Sequence, residues 1–196
     1  MGKGLEMVLW ILGAYLVGSL PFGFIVGKLR GVDVRTVGSK NIGATNVYRT
    51  VGKKWGLLVF LLDFLKGFIP AIVCCMVQGK GDLAVCVGFS CVIGHTLTIF
   101  MKFKGGKGVA TAFGMLMAIA PLTALGAFAV FALAVWISHY ISLGSCLAAA
   151  QLAIGIWFFE DILSLQIMMT VLAAFVIFKH RSNIKRLIQG CENKIY

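Results

Sequence analysis

Lys104-Gly105-Gly106-Lys107-Gly108-Val109-Ala110-Thr111 is a glycine-rich turn that empties into an apolar run, a combination suited to holding an anion. Glycine lets backbone approach closely and take positive φ, and the first N–H groups of a helix, with its dipole, favour a phosphate beside them. Lys107 adds a full charge. The stretch is not the P-loop of nucleotide hydrolases, which needs Gly at position 101 and Ser or Thr at 108, where this chain has Met101 and Gly108.

A second segment, Gly38-Ser39-Lys40-Asn41-Ile42-Gly43-Ala44-Thr45-Asn46-Val47-Tyr48-Arg49, sets hydroxyl, amide and guanidinium donors among glycines. Arg49 offers a planar fork of donors, while Ser39 and Asn41 complete an anion's hydrogen bonds without adding charge. A third, running from Lys179 to Gly190, reads as a short interfacial helix with Ile184, Leu187 and Ile188 on its apolar face. His180 and Asn183, at i and i+3, face the same way. Each segment alone also fits a flexible turn, a capped interfacial helix or a basic tail on anionic lipid. Together, three donor-rich segments on one face imply one anionic ligand or two. Only Asp33 and Glu192 among the carboxylates fall on that face outside the apolar runs, so positioning and charge stabilisation are expected, without a metal or other cofactor.

Membrane helices must hold these segments. A chain of 196 residues that is 60% hydrophobic and 13% charged has too little polar surface to cover a soluble globule. Leu5–Val26, Trp55–Val77 and Leu83–Met101 are each long enough to cross. After residue 108, Val109–Ala120, Leu122–Ile137, Ile141–Phe159 and Ile162–Phe178 make either four short spans or two long ones. Residues 141–178 would form roughly 57 Å of continuous helix, about twice the hydrocarbon thickness, and Pro121 divides the other pair. The expected fold is an all-α integral membrane bundle of seven transmembrane helices, five being the alternative, forming one domain over residues 1–196. Under either count residues 28–54, 102–108 and 179–194 share a side and carry nearly all the Lys and Arg, against Lys3 and Lys80 opposite. That places them in the cytoplasm, with the N-terminus outside and the C-terminus inside. The net charge of +11 therefore reports topology, and no nucleic-acid partner is expected.

Smaller features give further expectations. Pro21 should kink the first helix, and Gly13, Gly18, Gly23 and Gly27 should allow close helix contact. Asp63 and Lys66 lie three apart, so each lowers the other's cost in lipid. His95 reads as a packing residue or a loop hydrogen-bond partner. The cysteines show no Cys-x-x-Cys spacing and are expected to form neither disulfides nor a metal site.

These residues resemble the PlsY acyl-phosphate:glycerol-3-phosphate acyltransferases over nearly the whole chain. The resemblance covers three cytoplasmic motifs: Gly38-Ser39-x-Asn41-x-Gly43-Ala44-Thr45-Asn46-x-x-Arg49, then Gly94-His95 onward through Gly105-Gly106-Lys107-Gly108-Val109-Ala110-Thr111, then His180-x-x-Asn183-x-x-Arg186-Leu187 with Glu192. It implies seven helices in a bacterial plasma membrane and transfer of a fatty acyl group from acyl phosphate to the 1-hydroxyl of glycerol 3-phosphate. The products would be lysophosphatidic acid and phosphate, in phospholipid synthesis. Ser39, Arg49, Lys107, His180 and Asn183 are then the expected catalytic residues. Asn41, Thr45, Asn46, Lys104, Gly105, Gly106, Gly108 and Thr111 are expected to bind substrate, and Glu192 to serve structure. The expected partners are acyl phosphate, glycerol 3-phosphate and membrane lipid. The proton acceptor is left open between His180 and the donor's own phosphate. A transporter for phosphate or an organic phosphate is the competing reading.

Overall fold

The computed structural model describes residues 2–195, and their regular structure is entirely helical. The chain divides into two units, at Ile119 and Ala120. The first holds α1 (Lys3–Ser19), α2 (Phe22–Leu29), α3 (Ala44–Thr50), α4 (Lys53–Gln78), α5 (Asp82–Thr96), a 3-10 turn at Ile99–Met101, and α6 (Val109–Ile119). The second holds α7 (Pro121–Ser138), α8 (Ile141–Phe159), α9 (Leu163–Lys179) and α10 (Arg181–Ile188).

All seven apolar runs are helical, and residues 141–178 form two helices as their length requires. Among the described residues five spans are long and apolar enough to cross a membrane, counting α1 with α2, or six if α9 and α10, bent by 54°, make one. The remaining run, α6, is short, as the run Val109–Ala120 leads one to expect: its 11 residues make roughly 16 Å of helix, less than the hydrocarbon thickness, so it is not among the spans long enough to cross. Large apolar side chains such as Leu12, Leu122 and Trp136 stand exposed along the helices, as lipid-facing residues do.

The first helix breaks at Leu20-Pro21, as Pro21 leads one to expect. A break inside a bundle frees carbonyls that lipid cannot satisfy. Here the Thr98 hydroxyl donates to the Ser19 carbonyl at 2.5 Å, and the Lys66 ammonium donates to the Leu20 carbonyl at 2.8 Å. Lys66 also pairs with Asp63 at 2.7 Å, both side chains almost wholly buried.

Two helix crossings put glycine on backbone from both sides. Gly18 of α1 lies against the Cys91 backbone of α5, whose Gly94 lies against the Tyr15 carbonyl. Likewise Gly67 of α4 meets the Thr111 carbonyl of α6, and Gly114 of α6 meets that of Phe64. Gly23 and Gly27 pack closely too, on Ile42 and Val34. Gly13 does not: nothing stands within 4 Å of where its Cβ would be, so it is no part of a packing seam.

In the second unit α8 packs between α7 and α9. His139 ends α7 in a left-handed conformation, φ 63°.

Candidate active site

The first motif is folded around Asn46. Val26, Val34, Ile42, Val47 and Val59 form a small buried core, with Trp55 against it, that fixes α3 and the preceding loop on α4. Asn46, 1% exposed, accepts a hydrogen bond from the Ser39 N–H at 2.8 Å and donates to the carbonyls of Val34 and Val37 at 2.9 and 3.2 Å. Both its amide hydrogens are thereby engaged within the loop. These bonds give Asn46 a folding role in the loop. Gly38, at φ 58°, lies beside the Asn46 carboxamide and the Thr50 methyl, where a side chain would collide.

The rest of the motif is more open. Ser39 and Lys40 are exposed, and Lys40 takes a left-handed φ of 56°. The Asn41 carboxamide oxygen accepts from the Gly43 N–H at 2.8 Å, which turns the chain into α3. Thr45 and Arg49, both half-buried, sit four residues apart and so share a face of α3. Upstream, Asp33 is held by Arg35 at 2.7 Å and Lys28 at 3.4 Å. The hydrogen bonds from Arg35 keep its carboxyl well below the usual range, so it reads as a loop tie and not a proton acceptor.

The glycine turn is committed differently from the sequence expectation. The Gly105 and Gly106 N–H groups donate to the carbonyls of Thr96 and His95, each at 3.1 Å. Gly105 lies against that same backbone, and Gly106 against the His95 ring. Their missing side chains serve this approach to α5, and their amides do not await an anion. Half-buried Lys107 and exposed Lys104 belong to the same stretch, and α6 opens at Val109 with the N–H groups that a helix start presents. Thr111 is fully buried on α6, where it meets Gly67 of α4, and its hydroxyl has no hydrogen-bond partner among the described residues.

The turn is also sunk. His95 Nδ1 stands 3.5 Å from Asp63, the eleventh residue of α4, so the turn that rests on His95 lies about 15 Å along α4 from its start.

In the second unit the third motif closes on Glu192. Its carboxylate accepts from Asn183 at 2.7 Å, Ser142 at 3.0 Å and Arg186 at 2.7 Å. Burial pushes this carboxyl up, but the three hydrogen bonds prevail and hold it below its ordinary value. The tail is fastened again where the Ile195 N–H donates to the His139 carbonyl at 2.9 Å. Ser142 was not foreseen; a serine opening the apolar run at 141–159 is the one mark it leaves in the sequence. His180, 3% exposed, caps α10 and lies 2.8 Å from the Val176 carbonyl through Nδ1. A carbonyl only accepts, so that nitrogen carries the proton, and Nε2 is the basic nitrogen of the neutral ring. Among the described residues no three His, Cys, Asp or Glu side chains group to hold a metal.

Residues 8–190 match the family model described as glycerol-3-phosphate acyltransferase. The chain belongs to the glycerol-3-phosphate acyltransferase family. A member from Trichlorobacter lovleyi is 51% identical over 94% of this chain and 95% of its own. One from Aquifex aeolicus is 43% identical over 98% and 99%. The crystal structure of PlsY, an integral membrane glycerol 3-phosphate acyltransferase, is similar in its glycerol 3-phosphate form at TM-score 0.93 and 42% identity, covering 96% of this chain and 95% of that one. Its lysophosphatidic acid form gives 0.89 and 41%. The chain is thus a PlsY-type member of the glycerol-3-phosphate acyltransferase family and an integral, multi-pass membrane protein.

Proposed function

We propose that this chain transfers a fatty acyl group from acyl phosphate to the 1-hydroxyl of glycerol 3-phosphate, giving lysophosphatidic acid and inorganic phosphate. The observation that carries this is the likeness, over 96% of the chain, to an enzyme solved with glycerol 3-phosphate and with lysophosphatidic acid, two molecules that differ by one acyl group. Acyl phosphate as the donor rests on the three motifs.

The chemistry asks two anionic head groups to approach. Lys107 and the N–H groups opening α6 would neutralise one phosphate, and Arg49, with Ser39, Asn41 and Thr45 near it, the other. The acceptor hydroxyl attacks the acyl carbonyl, the bond to the phosphate oxygen breaks, and phosphate departs. The hydroxyl proton passes to the donor's phosphate, since phosphate monoesters titrate near about pH 6. Ser39 donates a hydrogen bond and is not acylated. His180 and Asn183 serve the same reaction as polar ligands of a phosphate, and Glu192 orients Asn183.

The same reading takes seven crossings, with the N-terminus outside and all three motifs cytoplasmic in a bacterial plasma membrane. The short α6 is compatible with it. Its roughly 16 Å, added to the roughly 15 Å by which the glycine turn is sunk along α4, comes to about the 30 Å of a hydrocarbon core.

The test is direct. Purified protein in detergent should release phosphate only when given acyl phosphate and glycerol 3-phosphate together. Phosphate flux across liposomes without turnover would instead establish a transporter.

A further inference from the structure

The buried groups beneath the glycine turn are not used by the mechanism above, and they connect. Lys66 reaches the Leu20 carbonyl at the helix break and pairs with Asp63. Asp63 faces His95 Nδ1 at 3.5 Å, an ion-pair distance when the imidazole is protonated. The other edge of that ring, Nε2, lies against Gly106, and the His95 carbonyl accepts the Gly106 N–H at 3.1 Å. Lys107 follows immediately. Asp63, Lys66 and His95 are 2%, 4% and 5% exposed.

Burying three such groups carries a large desolvation penalty, and well-packed apolar residues would fill the space at least as stably. Ionic groups fix direction where apolar ones fix only volume. Asp63 constrains how the imidazole is turned, the imidazole is the floor beneath Gly106, and Gly106 sets where Lys107 starts. Reactivity is sensitive to that placement, since a shift of about 1 Å costs on the order of a hundredfold.

We infer that His95 is a positioning residue for the anion-binding turn, with its ring oriented by the buried Asp63–Lys66 pair. This deepens the proposed function and rests on it only for its kinetic consequence.

Two substitutions separate orientation from bulk. His95→Phe keeps a ring beneath Gly106 but loses the nitrogen facing Asp63, whereas His95→Asn places an amide nitrogen near the position of Nδ1. In assays with acyl phosphate and glycerol 3-phosphate, His95→Phe should lose about tenfold to a hundredfold in kcat/KM, and His95→Asn should recover at least a third of the wild-type value. Amide hydrogen exchange of residues 104–108 in detergent gives a readout independent of turnover. Exchange should quicken in His95→Phe and return toward wild type in His95→Asn, while the α4 and α5 amides stay protected. Unchanged exchange in His95→Phe overturns the inference even if the transferase assay succeeds. Quickened exchange in a protein with no transferase activity would uphold the positioning role and remove the proposed reaction instead. Equal loss by both variants in kcat/KM and in protection of α4 and α5 would mark His95 as an ordinary packing residue.

Discussion

Arg49 and Lys107 carry the charges that the proposed reaction needs most, because nothing else nearby in their motifs combines a fixed cation with a half-buried position. Lys107→Ala or Arg49→Ala should lower kcat by about 10²–10³, the range for removing one donor to developing charge, with helical content unchanged by circular dichroism. Normal turnover in both variants would remove the site. Asn46 works at the same scale with a different outcome: Asn46→Ala strips partners from Val34, Val37 and Ser39 and should lower stability by about 1–3 kcal/mol in chemical unfolding. Little in the sequence separates these roles. Arg49 and Thr45 could be read as sharing a face from spacing alone, but Asn46 next to them has the same polarity, and only the carbonyls it meets reveal that it folds the loop. Gly105 and Gly106 are alike in this: a glycine kept for a phosphate and one kept for a neighbouring carbonyl look identical until the neighbour is seen.

Among the elements, hydropathy located every apolar helix within a few residues, and Pro21 marked the break in the first, because both signals are local. The shortness of α6 is legible too, in the run Val109–Ala120 that Pro121 closes. What is not legible is the seating of the glycine turn on the carbonyls of His95 and Thr96, a partnership no window of sequence contains. The clasp between α8 and α10 shows how a distant partner changes a prediction. Because the Glu192 carboxyl is held below its ordinary value of 4.5, its stabilisation is fully present above that value and disappears as the pH falls through the lower folded one. Glu192→Gln should therefore lower the thermal midpoint equally at pH 7 and pH 5, with the gap closing toward pH 3. A gap that shrinks between pH 7 and pH 5 would contradict this assignment.

For the molecule as a whole, sidedness is the property that most needs measurement. Cys191 is the exposed thiol among the described cysteines and follows α10 directly. With a cytoplasmic C-terminus, a membrane-impermeant maleimide should label it only after cells are opened; labelling of intact cells would reverse the proposed topology. The glycine crossings bear on a practical matter as well. Engineers who want a hardier protein commonly exchange helix glycines for alanine and gain about 0.5–1 kcal/mol each. At Gly18, Gly67, Gly94 and Gly114 that recipe runs backwards, since the added methyl meets main-chain atoms that cannot step aside. Gly13, with open space beyond it, is where the exchange should succeed.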